Sequence, residues 1–295
     1  MRLTKITGTL AAVALAAALA GCGDDGGGGT DVKVADNPEF EAGSTMATLA
    51  DAGEITIGVK YDQPGLGFLA PGADAPEGFD VEMGRIVAAA LGISDDGITW
   101  KQTVSDNREP FLKDGTVDLV VASYSITDDR RTEVGQAGPY YETGQQLLVR
   151  TEDADSITTP EDTAGKKVCS VTGSTSLQRM EDEYGASPVP YDTYSECVDQ
   201  LINGTVDAVT TDGAILLGYA ADHPDEIEVV GEPFSTERYG IGFKHGDQAM
   251  CDFLKETLQT SFDDGTWAEA FDTTLGESGV DAPSTPTLDD ACFTG

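Results

Sequence analysis

Histidine is almost missing from this chain, with two copies, His223 and His245, in 295 residues. So few imidazoles leave little for a histidine-ligated metal centre or a Ser–His–Asp relay. Cysteine is also sparse, and Cys22, Cys169, Cys197, Cys251 and Cys292 show none of the close spacing of a zinc site. Positive charge is the third shortage: 17 Lys and Arg stand against 53 Asp and Glu, a formal charge of −36. Such a surface repels DNA, RNA and anionic lipid head groups, which argues against a nucleic-acid partner. Screening over about 8 Å at physiological salt still permits a local basic pocket. After residue 20 no run is apolar enough to span a bilayer, so any transmembrane machinery has to be a separate protein.

The one long apolar run lies at the start. Arg2 and Lys5 precede the Ala-rich residues 10–20, the pattern of a secretory signal, too short for a stable anchor. It ends Leu19-Ala20-Gly21-Cys22, which resembles the lipobox of bacterial lipoproteins. That resemblance implies cleavage before Cys22 and a lipid on its thiol. Residues 1–21 are then signal, and the Gly-rich, polar residues 22–50 are a flexible tether of roughly 25–30 Å. The expected location is the outer face of the cytoplasmic membrane. In an exported chain the other four cysteines suggest two disulfides with three possible connectivities. Cys169 and Cys197 share the middle third, and Cys251 and Cys292 the C-terminal part, so pairing within each group is simplest.

From residue 51 onward an internal echo appears. Residues 107–121 and 195–209 both read as a helix, then Gly-Thr-Val-Asp, then an apolar strand. In both, Gly stands where a helix ends in the left-handed conformation. Each copy also has an earlier strand, Glu54-Ile55-Thr56-Ile57-Gly58-Val59 and Lys166-Lys167-Val168-Cys169-Ser170-Val171. Asp80 reads as the N-cap of a helix over 81–91 ended by Gly92, and Thr193 with Glu196 as a capping box. Strands alternating with helices predict an α/β protein of two similar lobes with parallel sheets, binding ligand at the carboxyl ends of strands. The first lobe is expected over 51–148 and 244–295, the second over 149–243. Leu147-Leu148-Val149 and Gly240-Ile241-Gly242-Phe243 would be crossing strands, which permit a hinge.

The strand before Ser123-Tyr124-Ser125-Ile126-Thr127-Asp128-Asp129-Arg130 stops in hydroxyls, and Arg130 adds a planar fork suited to a carboxylate. This octapeptide joins Gly78-Phe79-Asp80-Val81-Glu82, Pro139-Tyr140-Tyr141, Gly173-Ser174-Thr175, Tyr239-Gly240-Ile241-Gly242-Phe243 and Asp264-Gly265-Thr266-Trp267. In this order and spacing the chain resembles the polar amino-acid-binding proteins of bacterial ABC importers, over roughly residues 50–276. The resemblance implies the type II periplasmic-binding fold, two lobes around a cleft with two crossing hinge strands. It implies a monomer that binds a small amino acid and hands it to an ABC permease driven by a cytoplasmic ATPase, with no cofactor or metal.

In that family the position of Arg130 grips the α-carboxylate, helped by those of Ser125 and Thr175, with Thr172 nearby. The position of Asp212 accepts the α-ammonium, and Ser123 offers it a carbonyl. Ser105-Asp106-Asn107-Arg108 and Lys60 resemble the basic positions of glutamate and aspartate binders, and Gln63 and Tyr124 line the same pocket. Two cations for one carboxylate favour a dicarboxylic amino acid, glutamate first, with glutamine the alternative. Thr211 stands where relatives often have a larger polar residue, leaving the far wall open. Dehydratases of small cyclic acids and receptor sensor modules share this fold. Dehydration needs a tuned acid or base in the cleft, where neither histidine maps.

Overall fold

The computed structural model describes residue 30 and residues 32–280 and 282–294. The expected signal, Cys22 and the start of the tether lie outside the described residues.

Each leading strand seeds its own five-stranded sheet. The first sheet runs in the order Ile98–Gln102, Ile55–Val59, Leu119–Val120, Glu237–Phe243, Gly135–Thr143. The second follows the same plan: Ser187–Tyr191, Lys167–Val171, Ala208–Asp212, Gln145–Arg150, Ile227–Val230. In each, the first three strands are parallel and the last two are added antiparallel. The sheets are therefore mixed, not purely parallel, because the fourth strand adjoins a crossing.

The echo has a structural cause. Asp118 donates its N–H to the Thr56 carbonyl, and its Oδ2 accepts the Thr56 N–H at 2.8 Å. Asp207 does the same with Lys167, again at 2.8 Å through Oδ2. One aspartate thus starts the pairing of strand to leading strand in both lobes. The helices before it, Arg108–Asp114 and Tyr194–Ile202, end at left-handed Gly115 and Gly204.

The crossings lie earlier in each connection than the sequence suggested. Leu147, Leu148 and Val149 pair within the second sheet, and Gly242 and Phe243 within the first. The chain changes sheets at Gly144 and again across residues 231–236. An apolar strand looks alike in either sheet, so composition could not place the switch. Residues 32–50 also depart from the expected tether. Ala35 N–H bonds the Ala89 carbonyl, the Phe40 ring meets Phe253 edge-on at 5.6 Å, and Ser44 caps the helix Thr45–Ala52. Met46 and Leu49 of that helix are buried, which a free linker would not achieve.

Asp80 is not a cap. The helix is Phe79–Ala90, Gly78 precedes it, and the Asp80 carboxylate turns inward. Phe79 beside it anchors a cluster with Tyr140, Tyr141, Trp267 and Phe271. The Thr193–Glu196 capping box is formed as read. Two disulfides join Cys169 to Cys197 and Cys251 to Cys292. The second clamps the C-terminal segment to the helix Gln248–Asp264, where the Cys292 carbonyl accepts the Gln136 N–H.

Candidate functional site

The carboxyl ends of both sets of parallel strands meet at one small cavity between the lobes, with about 10 Å³ of space, room for about one water. That is far below the roughly 300–1,000 Å³ of open ligand sites, so the lobes lie closed on each other around it. From the first lobe Ser105, Arg108, Ser123 and Ser125 line it.

Ser123 has φ 41°, a left-handed backbone that a non-glycine residue seldom adopts. It is held from three sides. Its N–H donates to Asp80 Oδ2 at 2.7 Å, its hydroxyl to Gln63 Oε1 at 2.9 Å, and its carbonyl accepts Arg108 Nη1 at 3.1 Å. Asp80 also accepts the Tyr140 hydroxyl at 2.6 Å. Burial pushes the Asp80 carboxyl up to about 6, against the pull of these hydrogen bonds and of Lys60 and Arg108.

The second lobe supplies the start of the helix Thr175–Glu183 and the end of the strand Ala208–Asp212. Ser174 caps the helix by accepting the Leu177 N–H, leaving the Thr175 and Ser176 amides without intrahelical acceptors. Thr211 is the far wall left open above, beside Tyr194 and Ile215. Asp212 Oδ2 accepts the Tyr239 hydroxyl at 2.6 Å, while the buried Oδ1 has no partner. Burial, then Glu237, raises this carboxyl to about 7, opposed by Tyr239, Arg108 and Arg179. One cavity therefore joins an unsatisfied acid to helix-start amides that lack intrahelical acceptors, a complement to a zwitterion.

Of the expected site residues, Ser105, Arg108, Ser123, Ser125, Thr175 and Asp212 share the cavity wall. Lys60 and Gln63 sit directly behind two of them. Lys60 Nζ donates to Ser105 Oγ at 2.9 Å, and Gln63 holds Ser123 while its own Nε2 is buried without a partner. Lys60 is 3 % exposed, and burial, then Arg108 and later Arg130, lowers its ammonium to about 7 despite Asp62 and Asp80.

Arg108 is equally buried but differently employed. Its Nε donates to the Ser105 carbonyl, Nη1 to the Ala122 and Ser123 carbonyls, and Nη2 to that of Gly173. Four of its five N–H groups are spent on carbonyls, so it braces the strand exit more than it offers a fork. Tyr124 lies beneath both arginines, 4.5 Å from the Arg108 guanidinium and 5.0 Å from that of Arg130. Arg130 lines the adjoining crevice, donating to the Ser125 and Gly173 carbonyls and pairing with Glu109 at 3.2 Å. Thr172 is not in the cavity wall, and its hydroxyl points to the Tyr191 carbonyl at 3.4 Å.

Both arginines reach Gly173, in the other lobe. A Cβ there would fall 2.8 Å from Asp106 Cα, at a φ of +77°, so only glycine lets this carbonyl come so close. Ser174, Ser176, Tyr194 and Ile215 were missed by sequence reasoning, although Ser174 and Tyr194 each follow a strand exit at a readable helix start.

Against known proteins, residues 55–277 match the profile of bacterial extracellular solute-binding proteins, family 3. The chain is 40 % identical over 285 residues to the glutamate-binding protein GluB of Corynebacterium efficiens, covering 91 % of each chain. It is 33 % identical to the ABC transporter glutamine-binding protein GlnH of Bacillus subtilis, covering 86 % of this chain and 90 % of that one. An ancestral arginine-binding protein bound to glutamine superposes with a TM-score of 0.71 at 33 % identity, over 76 % of this chain and 98 % of the other.

Proposed function

The chain belongs to family 3 of the bacterial extracellular solute-binding proteins, and on that premise we propose that it captures an acidic amino acid, L-glutamate first. It is a binding protein, as its named relatives are, and not an enzyme. The observation that carries the reading is the unpartnered, buried Asp212 Oδ1 in a cavity that also holds the start of the helix Thr175–Glu183, where the Thr175 and Ser176 amides lack intrahelical acceptors. An α-ammonium would take the first, and an α-carboxylate the second together with Ser125 and the N–H groups Arg130 has left.

Preference for glutamate over glutamine rests on Lys60. A buried ammonium with one hydroxyl partner gains from a side-chain carboxylate and loses from a neutral amide. Arg108 contributes by holding Ser105 and Ser123 in place. The proposal includes a lipid on Cys22, an outward-facing monomer and delivery to an ABC permease with its own ATPase. The glutamate- and glutamine-binding relatives support the two side-chain options.

A thermal-shift panel of the standard amino acids tests the proposal, since a ligand of the native state raises the melting temperature. Glutamate is expected to give the largest shift. Stabilisation by glutamine and not glutamate would refute the specificity, and no shift with any amino acid would refute the site.

A further inference from the structure

The cleft is bridged a second time, away from the cavity. A short hairpin follows the first strand, with Asp62–Gln63 paired to Gly67–Phe68, and it leans on the second lobe. Asp62 Oδ2 accepts the Tyr194 N–H at 2.9 Å, at the first residue of the helix Tyr194–Ile202. The Tyr219 hydroxyl donates to the Asp62 carbonyl and lies 3.4 Å from the same Oδ2. Beside it the Pro64 carbonyl approaches so closely that a Cβ on Gly218 would fall 2.5 Å from it. A carboxylate is favoured at a helix start, where amides lack intrahelical acceptors and the dipole is positive. Asp62 is not part of the cavity wall, whereas Tyr194 is.

We infer that Asp62 is a positioning residue, a latch that holds the lobes together through Tyr194 and Tyr219 and sets how long a bound amino acid stays. The inference rests on the reading of the cavity as an amino-acid site. Opening the cleft breaks the Asp62 bonds whichever ligand is inside. A contact made only in the closed state shifts the opening equilibrium by its own strength. It therefore acts on dissociation, and equally for every amino acid. The Gly173 contacts of Arg108 and Arg130 also span the lobes, but Arg108 borders the cavity and Arg130 its adjoining crevice. Asp62 and Tyr219 lie outside the cavity wall, and Tyr219→Phe changes closure without removing the Asp62 charge that supports the Lys60 ammonium.

The test uses the full chain with Asp62→Asn, Tyr219→Phe and both together. Small-angle scattering without amino acid reports closure, and stopped-flow reports the dissociation rate of the amino acids that bind. Each single variant is expected to be more open and to release ligand about tenfold faster, about 1.4 kcal/mol, with the glutamate-to-glutamine ratio unchanged in Tyr219→Phe. The double variant should release faster than either single one, because Asp62→Asn weakens the bond to the Tyr194 N–H while Tyr219→Phe removes the separate bond to the Asp62 carbonyl. Scattering of the double variant identical to wild type, unchanged release in both single variants, or a changed preference between amino acids in Tyr219→Phe would each overturn the latch. If the wild type binds no amino acid, the reading of the cavity fails, while the scattering comparison still decides the latch.

Discussion

Replacing Asp212 by asparagine should stabilise the ligand-free protein above pH 7 while weakening its binding of an amino acid. Asp212 is 4 % exposed, and its carboxyl is raised from 3.8 to about 7. At about 1.4 kcal/mol per unit, keeping it ionised above pH 7 costs the empty protein about 4 kcal/mol. The amide keeps an acceptor for the Tyr239 hydroxyl but leaves a buried N–H₂ unpartnered, which costs about 1–3 kcal/mol. The net gain at pH 8 is about 1–3 kcal/mol, or roughly 2–10 °C in melting temperature for a fold of this size. A carboxyl whose folded pKa is raised loses stability as pH climbs from its unfolded value to its folded one. The variant should therefore melt below wild type at pH 4, by the cost of its unpartnered N–H₂, overtake it between about pH 4 and pH 7, and stay above it at higher pH. Binding runs the other way. The ammonium needs the ionised acid, so wild-type affinity should fall about tenfold per pH unit below about 7, and the variant should lose roughly 10–150-fold at pH 8. Calorimetric melts at pH 4 and pH 8, with and without amino acid, decide the matter. A variant that melts below wild type at both pH values, or that binds normally, would refute the assignment of Asp212 as a desolvated acid awaiting a cation.

Further expectations concern the other charges and one cross-link. Lys60→Met should lower glutamate affinity by about 10–150-fold while sparing glutamine, since one charge-assisted hydrogen bond of about 1.5–3 kcal/mol is lost; competition titration reads the ratio. In the wild type the same ratio should decline above about pH 7, where the Lys60 ammonium gives up its proton. Arg130→Ala should weaken every amino acid, and so should Arg108→Ala, because the latter frees the carbonyls of Ser105, Ala122, Ser123 and Gly173; calorimetry on glutamate and glutamine shows whether the two fall together. Cys251→Ser with Cys292→Ser opens a link across 41 residues and should cost about 4 kcal/mol, measured by denaturant unfolding.

Much of the site was legible because strand exits have a grammar. Ser123, Ser125, Thr175 and Asp212 all follow apolar strands, and the structure brings them to one cavity. Lys60 and Arg108 are expected in the pocket from the resemblance alone, since nothing in their sequence neighbourhood sets their burial. Their burial depends on residues far away in sequence, among them Gly173, whose carbonyl lies 3.2 Å from Arg108 Nη2. Asp80 was misplaced for the same reason. A helix-start acid is an ordinary cap unless a distant N–H, here that of Ser123, is waiting for it.

The sequence by itself determined the two-lobed α/β plan and the Thr193–Glu196 capping box, because these follow from patterns within tens of residues. The Gly-Thr-Val-Asp echo even carried the aspartate that joins strands in each lobe. Only the tertiary structure decided where the chain crosses between sheets, that residues 32–50 pack on the first lobe, and which donors remain for a ligand. Arg108 spends four N–H groups on carbonyls and Asp212 keeps one oxygen unpaired. Residue type sets how many hydrogen bonds a group can make, but only its neighbours in space determine how many are left.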